Sequence, residues 1–210
     1  MVTDGLNPFA LLAFIGAVLA GAGVAALYAF ARITGRKEIE RAASIVGGAG
    51  AGVYILLVVI ASVMSHDRVL ALGDEKHICE VDCHLAYSVA GVRTEPQADG
   101  RIRYVVTVRV RFDEETISSR RPRDASLSPN RRYVALVDAA RREYPGSTDG
   151  LKRRLIPGES YPTDLVFDVP AAAQSLRLVL RNDDFETRFV IGHENSFFHG
   201  KTTFGLRVPR

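Results

Sequence analysis

Two cysteines and two histidines lie within one eight-residue segment, HICEVDCH over residues 77–84, and they are the side chains best suited to metal or redox chemistry. Thiolates and imidazoles are ligands that copper and zinc accept. The four candidate ligands are His77, Cys79, Cys83 and His84. A Cys79–Cys83 disulfide competes with this site, because an oxidising compartment favours it wherever the chain turns between the two cysteines. We therefore predict the disulfide and expect no cofactor, with a copper or zinc site as the alternative.

A second unusual segment, GHENSFFHG, covers residues 192–200 near the C-terminus and combines histidines with adjacent aromatic residues. Exposed aromatic side chains dominate the energetics of protein contacts. The candidate partner-contact residues are His193, Phe197, Phe198 and His199. In the alternative interpretation, the two phenylalanines plug the open end of a β-domain.

Motifs of the common enzyme classes are missing from the sequence. It contains no HExxH, GxSxG, P-loop or Rossmann glycine motif, so we predict that the protein is not an enzyme and has no evident small-molecule substrate. Residues 66–210 hold 23 basic and 21 acidic residues. This balance argues against a nucleic-acid partner.

The elements that must position these residues begin with two uncharged apolar stretches, residues 8–31 and 42–64. A membrane span needs about 20 apolar residues, and both stretches are long enough. The seven residues before Pro8 contain Asp4 and no basic side chain, unlike a signal peptide. We predict two transmembrane helices in a hairpin over residues 1–65.

The connection between these helices, residues 32–41, carries four basic side chains: Arg32, Arg36, Lys37 and Arg41. The positive-inside rule places this connection in the cytoplasm. Both termini and residues 66–210 are then expected on the periplasmic or extracellular side of a bacterial cytoplasmic membrane.

Small residues in the two spans predict close helix packing, since they let backbones approach in lipid. Gly48 and Gly52 have GxxxG spacing in the second span, and Gly16 and Gly21 belong to small-residue pairs in the first. We expect these faces to pack against each other. The further glycines of the second span leave surface for a partner helix.

Residues 66–210 read as one β-domain, because apolar and polar residues alternate with period two between turn signals. The strands are predicted at residues 86–92, 102–112, 133–137, 163–169, 175–181, 187–191 and 203–208. This pattern is typical of an antiparallel, immunoglobulin-like β-sandwich.

The order YVVTVRVRF, RRYVALVDAARREYPG, LIPGESYPTDLVFDVP and SLRLVL resembles the telokin-like, immunoglobulin-related extracellular domains of bacterial membrane proteins, a family of unknown function. The resemblance covers about residues 86–181 and brings no catalytic residues with it. It implies an extracellular sandwich, here behind a two-helix anchor in place of a lipid-attached cysteine.

These features predict a non-catalytic accessory or scaffold subunit of a larger membrane protein complex, for which a respiratory or photosynthetic assembly is a natural host. Its expected partners are the lipid bilayer and other integral membrane proteins. A copper-binding or redox protein that uses the 77–84 cluster is the alternative. Two membrane helices before a Cys-x3-Cys β-domain are also similar to subunit II of haem-copper oxidases, where that motif lies near the end of the domain instead.

Overall fold

The computed structural model describes residues 2–3, 8–79, 83–118, 120–129 and 132–206. The chain forms two compact units. The β unit comprises Met1–Asp4, Asp67–Asp184 and Lys201–Arg210. The helical unit comprises Gly5–His66 and Phe185–Gly200. The predicted domains, 1–65 and 66–210, therefore differ from the observed units chiefly in residues 185–200, which hydrogen bonds join to Tyr54 and Ser65.

Two long helices, α1 (Pro8–Ile33) and α2 (Lys37–Val63), make up most of the helical unit. By length and composition, both are apolar enough to cross a membrane. Helix α2 begins five residues before the predicted stretch. Glu38 and Glu40 lie in its first turn, where the helix dipole favours negative charge.

The β unit contains two mixed five-stranded sheets. Their ten strands are β1 (Val2–Thr3), β2 (Arg68–Leu70), β3 (Lys76–Ile78), β4 (Leu85–Pro96), β5 (Arg101–Phe112), β6 (Arg132–Val137), β7 (Glu143–Pro145), β8 (Ser160–Pro170), β9 (Arg177–Asn182) and β10 (Thr202–Gly205). The first sheet has the order β1-β3-β4-β5-β8, and the second has the order β2-β10-β9-β6-β7.

A purely antiparallel fold was the expectation, and each sheet departs from it at one edge. The pairs β1–β3 and β2–β10 are parallel, while the other pairs are antiparallel. Strands β1 and β2 are short and reach their partners through long connections. No tight hairpin turn therefore forces them to run antiparallel.

One hydrophobic core is shared by both sheets. The alternation in β5 buries Val106, Val108 and Val110, and the second sheet contributes Leu178 and Phe204. Five predicted strands, at 86–92, 102–112, 133–137, 163–169 and 175–181, are observed with small changes at their ends.

The last two strand predictions have different outcomes. The strand predicted at 187–191 is wrong, because Phe185–Phe189 forms a 3-10 helix within the helical unit. The strand predicted at 203–208 is observed as β10, and residues 207 and 208 lie outside the described residues.

Candidate functional site

The two cysteines of the 77–84 segment form a disulfide. Cys79 follows β3 and Cys83 precedes β4, and these strands pair antiparallel with Ile78 opposite Leu85. The chain therefore reverses direction between the cysteines, and their Cα atoms are 4.1 Å apart. Because both sulfur atoms are joined to each other, neither offers a thiolate to a metal ion.

The two histidines of the segment contact different partners. His77 Nε2 lies 2.9 Å from Oδ2 of Asp113, and His84 Nδ1 lies 2.6 Å from the hydroxyl of Thr116. Among the described residues, no group of three or more His, Cys, Asp or Glu side chains is arranged to hold a metal ion. The structure therefore brings the cysteines together without assembling the four predicted ligands into one site.

A charged groove of about 830 Å³ in the β unit surrounds His77 and was not found from the sequence. Strand register brings two of its lining residues together, because His77 in β3 and Arg111 in β5 lie on either side of Ala86 in β4. The small side chain of Ala86 leaves room for the two larger ones. Acidic residues, including Glu75 and Asp113, complete the lining.

The charged groups of this groove form one network. Arg111 donates two hydrogen bonds to the carboxylate of Glu75, at 2.9 and 2.7 Å, and a third to Asp113 at 3.1 Å. Asp113 also accepts a bond from the Glu115 amide at 3.2 Å, which caps the 3-10 turn that follows β5.

The network shifts the pKa values of its members in the direction that favours charge. Hydrogen bonds from Arg111 hold the pKa of Glu75 below its ordinary value, and those with Glu75 raise the pKa of Arg111. Burial raises the pKa of Asp113, but hydrogen bonds from His77 and Arg111 outweigh it and leave the pKa lowered.

The arrangement is suited to holding structure together. Glu75 occupies the forked face of Arg111, so that face does not present paired N–H groups to a substrate anion. The hydroxyl of Thr116 donates to the Asp113 carbonyl oxygen at 2.8 Å and contacts His84. The sequence signal for this network is the arginine alternation of β5, which ends at Arg111 two residues before Asp113.

The contact between α1 and α2 does not use the predicted glycines. A Cβ atom built on Gly47 would lie 3.1 Å from Val24, so Gly47 is a point of close approach. Gly16, Gly21, Gly48 and Gly52 are exposed, and a Cβ atom on any of them would meet no atom of the described part of the chain within 4 Å. The prediction for these four is corrected, because the helices meet along a different face.

The C-terminal aromatic segment lies in the helical unit. Phe197 and Phe198 are 51% and 81% exposed, so they do not plug a buried end. His193 is fully buried and cannot belong to a contact surface, which corrects its prediction, and His199 is half-buried. The sequence did not reveal this split, since it depends on how the segment folds back on itself.

Comparison with known proteins finds only distant likeness. No protein-family model matches the chain, and no curated protein matches it at a significant level. A secreted protein of Mycobacterium tuberculosis, MPT63, is 13% identical with a TM-score of 0.40, over 56% of this chain and 92% of that one. A conserved hypothetical protein of Bacillus anthracis is 17% identical with a TM-score of 0.36, over 53% of this chain and 93% of that one. At these TM-scores neither likeness identifies fold or function.

Proposed function

We propose that this chain is a membrane-anchored, non-catalytic accessory or scaffold subunit of a larger membrane protein complex, with its β unit making protein contacts outside the cytoplasm. The observation that carries the proposal is the open glycine face of α2. Gly48 and Gly52 lie one turn apart and are exposed, and no side chain of the described residues lies within 4 Å of a built Cβ atom on either.

The apolar surface of the helices supports membrane anchoring. Large side chains such as Phe9, Ile33 and Val63 are 67–86% exposed. Soluble proteins rarely expose so many apolar side chains together to water. Lipid tails or neighbouring helices would cover them. The basic side chains of the 34–36 turn and its flanks favour a cytoplasmic position for that connection.

The β unit supports a contact role better than an enzymatic one. In its charged groove, the Arg111 guanidinium and the Glu75 carboxylate are paired with each other, which leaves them less available to act on a substrate. We include in the proposal that this unit is an immunoglobulin-related sandwich of the telokin-like type, whose edges carry short parallel strands.

Native mass measurement in mild detergent tests the proposal. The chain alone has a mass of 22.9 kDa, and we expect the purified particle to contain additional polypeptides in fixed ratio. Gly48→Leu with Gly52→Leu should release them, because bulk on a small-residue face prevents close helix approach. Gly23→Leu on α1 is the matched control, since it is another helical glycine with open space around it. A particle with only this chain and detergent would exclude the subunit proposal.

A further inference from the structure

In the segment Phe185–Gly200, four consecutive polar side chains are buried while four aromatic side chains are exposed. His193, Glu194, Asn195 and Ser196 are 0–8% exposed. The outer residues, Phe185, Phe189, Phe197 and Phe198, are 39–81% exposed. A segment in water has the opposite distribution, so this one is built for apolar surroundings.

Several hydrogen bonds between described residues join parts of the segment to each other. Successive turns link amides to carbonyl oxygens three residues earlier, in the order Val190 to Thr187, His193 to Val190, Ser196 to His193 and His199 to Ser196. The Ser196 hydroxyl donates to the Val190 carbonyl oxygen at 2.6 Å, and the Asn195 side chain donates to the Thr187 hydroxyl at 2.8 Å. Non-helical backbone tolerates a medium without water only when its polar groups find such partners.

Two contacts fix the position of the segment along α2. The Tyr54 hydroxyl donates to the Phe189 carbonyl oxygen at 2.8 Å, and the Gly200 amide donates to the Ser65 hydroxyl at 2.6 Å. Tyr54 lies ten positions before Met64, the C-cap of α2, or about 15 Å along the helix, and Ser65 follows that cap. This is about half the thickness of the bilayer hydrocarbon.

We propose that Phe185–Gly200 is a re-entrant loop that enters the outer leaflet beside α2 and contacts lipid acyl chains through its four phenylalanines. The proposal rests on the proposed function, because α2 must cross the membrane for Tyr54 to lie at that depth. Phe198 has φ of +66°, a region that bulky residues rarely adopt. In that conformation its side chain is 81% exposed and so is available to lipid.

The charged residues of the segment limit its depth. The Arg188 guanidinium lies 5.3 Å above the Phe185 ring, and Glu186 is exposed. Arginine in lipid reaches toward the headgroup layer. The loop is therefore assigned to the outer half of the hydrocarbon, with Phe189, beside Tyr54, as its innermost point.

Fluorescence quenching tests the proposal directly, because the chain contains no tryptophan and one substitution supplies the only indole signal. The full chain with Phe198→Trp is reconstituted in vesicles of phosphatidylcholine and phosphatidylglycerol with brominated acyl chains. We expect the brominated lipid to remove most of the emission and aqueous acrylamide to remove little. Phe197→Trp repeats the measurement in case the strained position rejects the larger ring.

Two reference variants separate this proposal from the proposed function. Ile60→Trp reports on α2, and Val166→Trp reports on an exposed position of the β unit, with native exposures of 45% for both side chains. Quenching of Ile60→Trp but not of Phe198→Trp by brominated lipid overturns the loop and leaves the membrane span intact. Failure of both overturns the span as well. If neither brominated lipid nor acrylamide quenches the indole of Phe198→Trp, the side chain is covered by protein, and the proposed lipid contact is also overturned.

Discussion

The two units of this chain arrange polarity in opposite ways. In the β unit, Val106 and Phe167 are buried, while Arg103 and Asp168 pair across the outer face at 2.8 Å. In the helical unit, Leu56 is 57% exposed. An exposed side chain of the β unit contacts water, whereas we propose that an exposed side chain of the helical unit contacts lipid. A substitution has to be judged against the solvent of its own unit.

Truncation of a phenylalanine is expected to give the largest contrast between the units. Phe167→Ala removes a ring that is 1% exposed and should lower the free energy of unfolding of the β unit by about 3–5 kcal/mol, from lost burial and the cavity left behind. Phe198→Ala should change the free energy of unfolding by less than about 0.5 kcal/mol, since the Phe198 ring is not part of a buried core. Urea unfolding of the full chain in mild detergent, followed by circular dichroism, measures both. Equal losses would contradict the division into differently solvated units.

A charge placed on the surface of each unit should give the next largest effect. Leu56→Arg is expected to disfavour membrane insertion by about 2–3 kcal/mol, because arginine is costly within a span. Val166→Arg, at 45% exposure on the outer face of β8, should change the stability of the β unit by less than about 0.5 kcal/mol. The inserted fraction in an assay with microsomes measures the first, and urea unfolding measures the second. Normal insertion of Leu56→Arg would argue that this helix face is not in lipid.

Regular patterns made part of this molecule predictable from sequence. Uncharged apolar length marked both helices, and period-two alternation marked β5 and five other strands, since alternation reflects one buried face of a strand. The disulfide also followed from residue type and the need for a chain reversal between Cys79 and Cys83.

Features that depend on distant contacts were not predictable. The alternation at 187–191 resembles a strand, yet contacts with α2 form a 3-10 helix there. Arg111 meets Glu75 only because β3 and β5 flank the same strand. The glycine of the helix contact, Gly47, could not be distinguished from the other glycines nearby, because residues 47–52 are all glycine or alanine.

The disulfide should contribute a smaller effect within the β unit. Replacing both cysteines with serine is expected to lower the free energy of unfolding by about 2 kcal/mol, the loop-closure estimate for a bridge with a sequence separation of 4. Intact mass under non-reducing conditions should be lower than the reduced mass by two hydrogen atoms. Elemental analysis of the same sample tests the copper or zinc alternative. A stoichiometric metal together with free thiols would contradict the disulfide and support the metal site.

Acid titration is expected to give the smallest change in the free energy of unfolding, and to change it in the β unit but not in the helical unit. Because the pKa values of Glu75 and Asp113 are lowered in the folded chain, their contribution to stability is complete above the unfolded carboxyl values of about 4 and is lost as the pH falls through the folded values. Asp113→Asn should lower the free energy of unfolding by about 1 kcal/mol at neutral pH and flatten its fall in acid.

The matched control for this titration is Asp124→Asn, which changes an exposed turn aspartate of the same unit and should keep the original pH profile. The helical circular dichroism signal should stay constant over the same pH range, because apolar surface and not this ion-pair network holds α1 and α2 in place. A profile of Asp113→Asn parallel to that of the unsubstituted chain would remove Asp113 as the source of the acid sensitivity. Simultaneous loss of the helical and strand signals would instead mean that the two units unfold together. The units would then differ in surface polarity but not in stability toward acid.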